Sequence, residues 1–288
     1  MIVPKYNKYS MNPLVLMTDF GLKEHFVAVM KGVALTINPE IKIYDLTHLI
    51  SPFNTWEAAL TLNNTIGYWP SSTVFVSVVD PGVGTERRSI ITLTKSGHYI
   101  VTPDNGILTF IADGGRIEAI RVIDETRHRR PESENYNTFH GRDIYIYTGA
   151  KLASGMITYE DVGPLYSGEI VKIGYQKAKF HKGVVQGTIM KIEYPFGNLV
   201  TNIPYELMRQ IPGLDYNVKL YVEIKEKSKL RYEETLPYVR SYGFAAAQSP
   251  LIYIDSSGYT GIAVNKGNFA KQYQIAGGHD WLIKIGMV

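Results

Sequence analysis

The stretch PLVLMTDFG, residues 13–21, decides the fold of this chain, because a short apolar run ends there in a polar turn. We predict a buried strand from Pro13 to Thr18, followed by a loop at Asp19-Phe20-Gly21. Apolar residues then recur at helical spacing from Phe26 to Ile37. The chain is therefore expected to begin with a strand, a loop and a helix.

The same alternation of short apolar runs and helical patterns continues through the first half of the chain. Further strands are predicted at residues 41–46, 73–79, 90–93, 99–102 and 117–122, and further helices at residues 54–69 and 143–153. Strands that alternate with helices favour a mostly parallel sheet covered on both faces, with ligand sites beyond the carboxyl ends of the strands. Asp19 and Asp80 both fall at such ends.

The pattern changes after about residue 170, where short β-rich runs occupy residues 183–192, 218–224, 251–254 and 261–264. We predict an α/β domain at residues 13–173 and a smaller, mostly β, barrel-like domain at residues 183–288. The polar, lysine-rich stretch 174–182 is the expected connection between them. Residues 1–12 are interpreted as an N-terminal extension.

The composition is that of a globular protein, with 45% hydrophobic and 20% charged residues among 288. A net charge of +3 is spread along the chain, which argues against a surface that binds nucleic acid. The one dense basic run, from Arg127 to Arg130, is interpreted as a solvated loop.

Cysteine is absent, which excludes disulfides, thiolate zinc sites and a cysteine nucleophile. No window reaches the roughly 18 apolar residues of a membrane span, and the N-terminal residues do not resemble a secretory signal. We therefore expect a cytoplasmic protein that binds neither nucleic acid nor membrane.

Two short motifs combine ionisable side chains with glycines. In DPGVGTER, residues 80–87, a strand runs into a loop that can bend tightly and that holds both a carboxylate and a guanidinium. In NTFHGRD, residues 137–143, His140 lies at the start of a predicted helix, where free backbone N–H groups suit an anion or a bound water. Each motif alone also fits a structural role, as a turn with a surface ion pair or as a buried structural histidine.

Asp19 and three further stretches carry polar groups that suit a nucleoside or an amino acid. Asp19 could accept both hydroxyls of a ribose, or it could cap the following helix. The stretches 193–202, 255–259 and 265–268 offer a carboxylate, amides and hydroxyls for an amino-acid head group or an adenine edge. These stretches could equally be hairpin turns, in which Asn and Gly are common.

Taken together and in order, these motifs resemble those of the S-adenosyl-L-methionine (SAM) hydroxide adenosyltransferases, the hydrolase relatives of the fluorinases and chlorinases. The resemblance runs over residues 14–285. It implies a reactive triad of Asp80, Arg87 and His140, which would hydrolyse SAM to adenosine and L-methionine by attack of water on the ribose 5′ carbon. In our preferred assignment His140 and Asp80 orient and deprotonate the water, while Arg87 stabilises the developing hydroxide.

The halogenating relatives look different at the same places. They carry a tyrosine at the position of Asp80, a threonine at that of Val83, and Tyr-Ser at that of His140-Gly141, so the hydroxyls that hold a halide are missing here. Three alternatives stay open: a sensor that binds SAM or adenosine without turnover, a SAM-dependent halogenase, which the negative charge of Asp80 disfavours, and a scaffold role, which nothing in the sequence supports positively.

The resemblance also implies a homotrimer, no metal and no cofactor, with each site lying between the N-terminal domain of one subunit and the C-terminal domain of its neighbour. The chain departs from the family pattern at Glu193, where Asp is usual, and at Ser257, where the halogenases have Arg. The implied substrate-binding residues are Asp19 for the ribose hydroxyls, Phe53 for packing, Glu193 and Asn198 for the methionine or ribose portion, and Tyr242, Ser256 and Lys266 for the adenine or amino-acid ends.

Overall fold

The structure, a computed structural model, describes residues 11–287. Tertiary contacts divide the chain into two compact units, the first ending at Ile173 and the second beginning at Gly174. The N-terminal extension expected from the sequence lies outside the described residues except for Met11 and Asn12.

The first unit is built around a six-stranded sheet with helices on both faces. Its strands are β1 (Leu14–Thr18), β2 (Ile43–Thr47), β3 (Val74–Val78), β4 (Ser89–Thr94), β5 (Tyr99–Pro103) and β6 (Ile117–Val122). Its helices are α1 (Phe26–Ile37), α2 (Thr55–Thr65), α3 (Thr109–Asp113), α4 (Glu125–His128) and α5 (Ile146–Ala153), with a π-helical turn at Gly141–Tyr145 before α5 and 3-10 turns at Ile66–Tyr68 and Glu160–Val162.

The strand order in this sheet is β2-β1-β3-β5-β4-β6. The four strands β2, β1, β3 and β5 are parallel to one another. Strand β4 is antiparallel to both of its neighbours, β5 and β6. The mostly parallel sheet predicted from the sequence is therefore confirmed, with one antiparallel strand, β4, between β5 and the edge strand β6.

Strand β1 is apolar along its whole length because both faces of the sheet are covered. Leu14 and Leu16 enter one core together with Met30 of α1, while Val15 and Met17 enter the opposite core with residues of α2. Successive side chains of a strand point to opposite faces, so the continuous apolar run buries completely. Each such buried side chain contributes about 1.5–3 kcal/mol of transfer free energy.

The order in which strands are added to the sheet reverses at β1, because β2 lies on one side of it and β3 on the other. Helices α1 and α2 therefore pack on opposite faces of the sheet. In such folds a crevice opens at the carboxyl ends of the strands beside the reversal. Thr18 and Val78 pair at these ends, next to Asp19 and Asp80, so the expectation that both carboxylates follow strand ends is confirmed.

The second unit is an antiparallel sheet that curls into a nearly closed barrel. Its strands are β7 (Lys179–His181), β8 (Val184–Glu193), β9 (Asn198–Pro204), β10 (Lys219–Glu226), β11 (Lys229–Pro237), β12 (Pro250–Ile254), β13 (Tyr259–Val264) and β14 (Trp281–Met287). Short helices α6 (Tyr205–Met208) and α7 (Phe269–Tyr273) and a 3-10 turn at Tyr242–Phe244 complete it. The strand order is β11-β10-β14-β8-β9-β13-β12, with β7 paired to β8.

The two end strands of this order come together just beyond β11, where Tyr238 forms a bridge with Ile252 of β12. The adjacent Val239 N–H donates to the Ile252 carbonyl at 2.9 Å. Because the first and last strands meet, one apolar core fills the interior, and the predicted barrel-like domain is confirmed.

Four strands in this unit, β7, β9, β11 and β14, escaped the sequence prediction, and the structure gives a physical reason for two of them. Strand β11 buries only Tyr232 and Leu236 among exposed, mostly charged neighbours, so its apolar signal is weak. Strand β7 lies inside the stretch expected to be a connection, and the Gln176 carbonyl there accepts hydrogen bonds from Thr188 and Asn202. None of the helices among residues 11–287 has the length and apolar character needed to cross a membrane.

Candidate active site

A buried ion pair lies beyond the carboxyl end of β3. Arg87 Nη2 donates to Asp80 Oδ2 at 2.5 Å, and Arg87 Nε lies 3.1 and 3.0 Å from the two carboxylate oxygens. The two side chains are only 10% and 5% exposed. Burial acts to lower the pKa of Arg87, but the hydrogen bonds to Asp80, together with the electrostatic interactions with Tyr145, Asp80 and Glu125, raise that pKa above its ordinary value. The turn with a surface ion pair that the sequence left open is therefore wrong, because this pair is buried.

The loop between β3 and β4 brings these side chains together because it packs closely on its surroundings. Gly84 has a φ of +78°, and a Cβ on it would lie 2.7 Å from the Asn137 carbonyl oxygen, so only glycine fits there. Asn105, at the end of β5, supports the same loop by donating from Nδ2 to the Val79 carbonyl at 2.8 Å. Sequence reasoning missed Asn105, although PDNG directly after a predicted strand is a turn signal of the same kind as DPGVG.

His140 joins this pair from a distant part of the chain. Arg87 Nη2 lies 2.9 Å from His140 Nδ1, and the imidazole is 5% exposed. Burial lowers the pKa of His140, and the positive charge of Arg87 lowers it further. Asp80, Arg87 and His140 therefore form one contiguous buried cluster that favours the neutral form of the histidine.

The basic run 127–130, expected to be a solvated loop, is not one. Glu125–His128 forms α4, in which His128 is 2% exposed, and the Arg129 side chain that follows is 11% exposed. Arg129 Nη2 lies 3.3 Å from His140 Nε2, on the opposite side of the ring from Arg87. The spacing of residues in the sequence did not indicate this contact between Arg129 and His140, because the contact depends on how α4 packs against the turn that holds His140.

Asp19 and Phe53 also lie together. The Phe53 N–H donates to Asp19 Oδ2 at 2.8 Å, and the Phe53 side chain is 72% exposed. The backbone of Phe53 has a φ of 66°, a left-handed conformation that costs a residue with a side chain about 1–2 kcal/mol. Such strain persists where surrounding contacts impose it, and it is common at ligand sites.

A polar chain behind Asp19 holds its loop in place. Thr18 Oγ1 accepts from the Phe20 N–H at 3.2 Å and bonds His48 Nδ1 at 2.8 Å. His48 Nε2 in turn lies 3.0 Å from Asp45 Oδ1. His48 had no signal in the sequence, since a lone histidine after a strand has no distinctive spacing.

The Asp19 loop and the His140 turn lie against each other. A Cβ on Gly141 would come within 3.3 Å of both the Phe20 and the Phe139 ring, and these two rings pack edge to face at 5.7 Å. Gly141 thus allows close packing beside His140, which explains the glycine in the motif. The five candidate residues of the first unit therefore belong to adjoining segments around the carboxyl ends of β1 and β3.

Three candidate residues of the second unit also form a cluster. Asn198 Nδ2 donates to Glu193 Oε2 at 3.2 Å and to the Tyr242 hydroxyl at 3.3 Å. Asn198 is buried, whereas the neighbouring Tyr194 and Phe196 of the turn between β8 and β9 are exposed. The arrangement presents a carboxylate, an amide and a phenol beside exposed rings.

Lys266 and Ser256 lie apart from each other. Lys266 follows β13 in a turn whose Asn268 Nδ2 reaches the Pro195 carbonyl, so it is near the turn between β8 and β9. Ser256 is exposed at the tip of the β12–β13 hairpin, at the opposite end of β13. A six-residue strand separates them by about 20 Å. Among the described residues, no group of three His, Asp or Glu side chains is arranged to hold a metal ion.

Known proteins match the chain over nearly its whole length. The model of the SAM hydroxide adenosyltransferase N-terminal domain matches residues 14–163, and that of the C-terminal domain of the same family matches residues 187–282. The (R)-S-adenosyl-L-methionine hydrolase of Methanocaldococcus jannaschii is 34% identical, over 96% of this chain and 95% of the relative. The fluorinase of an Actinoplanes species is 31% identical, over 93% of this chain and 96% of the relative.

A crystal structure of a conserved protein from Thermotoga maritima has the same fold, with a TM-score of 0.83 and 33% identity over 95% of this chain and 99% of that one. Both domain models and the full-length relatives agree with the resemblance seen in the motifs. The chain belongs to the SAM hydroxide adenosyltransferase family.

Proposed function

We propose that this protein hydrolyses SAM to adenosine and L-methionine. The observation that carries the proposal is the buried cluster of Asp80, Arg87 and His140 at the carboxyl ends of the parallel strands. SAM hydrolases are among the relatives that match the chain from end to end.

The main requirement of the reaction is that the protein position a nucleophile. The sulfonium of SAM makes the methionine thioether a good leaving group, so a water oxygen can form a bond to the ribose C5′ as the C5′–S bond breaks. The bonding electrons go to sulfur and cancel its positive charge, and the water proton passes to a base. Holding the two reactants in line supplies up to about 7–11 kcal/mol of the barrier reduction. The step as written consumes no cofactor.

The hydrogen bonds favour Asp80 as the proton acceptor. His140 Nδ1 is engaged by Arg87 at 2.9 Å, so its lone pair is already used. Asp80 Oδ1 accepts from Arg87 Nε at 3.1 Å, and a carboxylate oxygen has a second lone pair for a water proton. In this refinement of the sequence-based assignment, Asp80 takes the proton, Arg87 stabilises the developing hydroxide and His140 orients the cluster.

Hydrolysis is favoured over halogenation by the charge at the nucleophile position. A fluorinase is nearly as similar to this chain as the hydrolases are, so overall similarity does not separate the two reactions. Asp80 is a buried carboxylate, and it repels a halide while it attracts the protons of water. The second candidate, a sensor without turnover, uses the same pocket and differs only in lacking product.

We propose further that each site is completed by the C-terminal domain of a neighbouring subunit in a homotrimer. Exposed rings support this in each unit separately: Phe53 is 72% exposed beside Asp19, and Tyr194 is 96% exposed beside Glu193. In this arrangement Asp19 binds the ribose hydroxyls, while Glu193, Asn198, Tyr242, Ser256 and Lys266 contact the adenine and methionine portions.

Mixed subunits test the shared site. An Asp80→Asn variant keeps a normal C-terminal domain, and an Asn198→Ala variant keeps a normal N-terminal domain. Refolding the two together should restore part of the activity at low substrate concentration, because some interfaces then combine two intact halves. Mixed oligomers that show only the average of the two parent activities would contradict a site shared between subunits, and a monomer in analytical ultracentrifugation would contradict the trimer.

The proposed cell compartment is supported by the substrate and the composition. We place the protein in the cytoplasm, which is consistent with a chain that contains no cysteine. Fractionation of cells that express the protein at natural levels, followed by immunoblotting, tests this assignment.

The decisive experiment is liquid chromatography of purified protein incubated with SAM in halide-free buffer that contains a chelator. Adenosine and methionine should appear in equal amounts, and a His140→Ala variant should lose most of the activity while it still binds SAM in calorimetry. Binding by the wild type without any product would favour the sensor, and 5′-halo-adenosine after addition of chloride or fluoride would favour the halogenase.

A further inference from the structure

Both ring nitrogens of His140 face an arginine. Arg87 Nη2 lies 2.9 Å from Nδ1, and Arg129 Nη2 lies 3.3 Å from Nε2. Arg87 belongs to the proposed triad, whereas Arg129 lies in the basic run after α4 and has no role in the mechanism above.

The shorter contact determines where the imidazole carries its proton. A neutral imidazole has one N–H donor and one acceptor nitrogen, and arginine can only donate. Two N–H groups cannot face each other at 2.9 Å, so Nδ1 accepts from Arg87 and the proton resides on Nε2. Nε2–H therefore faces Arg129 at 3.3 Å without a hydrogen bond between them, because both groups are donors.

Arg129 is held where it is by other groups. Its Nη2 lies 3.3 Å from Glu125 Oε2 and 3.4 Å from Asn137 Oδ1, and its Nη1 donates to the carbonyls of Ser133 and Tyr136 at 3.1 and 3.3 Å. A guanidinium with this many partners and 11% exposure has a defined position. It is therefore a fixed positive charge beside His140.

These contacts close into a ring that returns to Arg87. Glu125 Oε1 accepts from Ser89 Oγ at 3.0 Å, and Ser89 Oγ accepts from Arg87 Nη1 at 3.2 Å. The ring thus runs from Arg87 through Ser89, Glu125 and Arg129 to His140 and back to Arg87. A second proton on His140 would place an N–H on Nδ1 against Arg87, and the bond between the two would be lost.

The charges around the imidazole come from two segments packed against it. The loop between β3 and β4 supplies Arg87 and Asp80, and the segment containing α4 supplies Glu125 and Arg129. On the histidine's own turn, Asp143 is occupied by ion pairs with Arg130 and Arg142.

We propose that Arg129 is a positioning residue whose fixed positive charge keeps His140 uncharged, so that Nδ1 stays free to accept from Arg87 and Arg87 stays on Asp80. The catalytic consequence rests on the proposed hydrolysis, whereas the effect on the imidazole does not. The electrostatics agree in direction: after burial and Arg87, Glu125 raises the pKa of His140 and Arg129 lowers it.

The test compares three variants by two measurements. Arg129→Gln removes the charge beside Nε2, Glu125→Gln removes the opposing charge, and Arg127→Gln removes an exposed charge of the same basic run as a control. The first measurement is the ring titration of His140 by NMR on histidine-labelled protein without substrate. The second is the pH profile of kcat/KM for SAM hydrolysis.

Arg129→Gln should raise the pKa of His140 and move the acid limb of the profile to higher pH. Its activity should fall roughly three- to tenfold at pH 5.5 relative to wild type, but by less than about twofold at pH 8. Glu125→Gln should move both readouts in the opposite direction, which a merely structural role would not do. Arg127→Gln should leave both unchanged.

The proposal is overturned if Arg129→Gln and Arg127→Gln titrate alike at His140, or if Glu125→Gln shifts the pKa upward. If Arg129→Gln fails to fold, two other variants replace it in the test. Arg129→Lys keeps the charge, so His140 should titrate as in the wild type, and Glu125→Gln should still lower the pKa of His140. A wild-type protein that yields no adenosine would refute the proposed function and leave the NMR result to decide the role of Arg129.

Discussion

The candidate residues of the two units differ in how far they are organised before a substrate arrives. In the first unit, Asp80 and Arg87 are nearly inaccessible and are joined by short hydrogen bonds of 2.5–3.1 Å. In the second unit, Asn198 holds Glu193 and Tyr242 by longer bonds of 3.2 and 3.3 Å, beside exposed aromatic rings.

This difference suggests that the first cluster serves the chemical step and the second serves substrate binding. Fixed charges in a site that excludes water stabilise a transition state without reorganising, and this is usually the largest catalytic term. Polar groups on a more open surface gain their full contacts only when a ligand covers them. We therefore expect changes in the first cluster to lower kcat, and changes in the second to raise KM.

The largest effect is expected from Asp80→Asn. The amide keeps the size of the side chain but cannot accept the water proton, so kcat should fall by about 10²–10⁴ while SAM binding changes little. Glu86→Gln, an exposed carboxyl in the same loop, is the matched control and should retain wild-type kcat. Product assays at saturating SAM and calorimetric titration measure the two quantities. A kcat within threefold of wild type would contradict the assignment of the first cluster to the chemical step.

A smaller effect, on binding, is expected from Asn198→Ala. Loss of the amide removes a donor to Glu193 and to Tyr242 and, in the proposed site, one contact to the ligand, so KM should rise by about 5- to 100-fold with kcat nearly unchanged. Gln210→Ala, an exposed amide of the same unit, is the control. Steady-state kinetics across a wide SAM range measure both constants. A fall in kcat at unchanged KM would contradict a role of Asn198 in binding.

Phe53→Gly should act in opposite directions on stability and binding. Glycine relieves the left-handed conformation and should raise the free energy of unfolding by up to about 1 kcal/mol, because relief of 1–2 kcal/mol of strain exceeds the extra chain entropy. Removing the exposed ring should raise KM. Ser72→Gly, at a φ of 68°, should give the stability gain alone. Urea unfolding and kinetics together decide, and a loss of stability in both variants would refute the strain argument.

The smallest effect is a dependence of stability on pH. Burial lowers the pKa of both His128 and His140, so the unfolded chain binds more protons than the native one below the ordinary histidine pKa of about 6.5. The contribution of both side chains is complete above that pH and is lost as pH falls through the lowered values. His128→Gln should therefore flatten the decline in unfolding free energy between pH 7 and pH 5, and an unchanged slope would contradict this.

Individual residues show how much could be predicted from the sequence. Asp80, Arg87 and His140 were found because each lies in a short motif that, together with the others in order, resembles the motifs of the family. Arg129 and His48 were missed, because their contacts join segments distant in the chain and leave no spacing signal. The domain limits 13–173 and 183–288 and the roles of the site residues remain predictions.

The sequence by itself determined the two classes of architecture, since apolar periodicity reports which faces of a strand or helix are buried and therefore how the layers stack. It also determined the family, because several motifs in order are far more specific than any one of them. Only the tertiary structure decided that the pair of Asp80 and Arg87 is buried, that His140 lies between two arginines and that Ser256 lies far from Lys266 along β13. Burial and electrostatic environment depend on what packs against a residue in three dimensions, and local sequence does not contain that information.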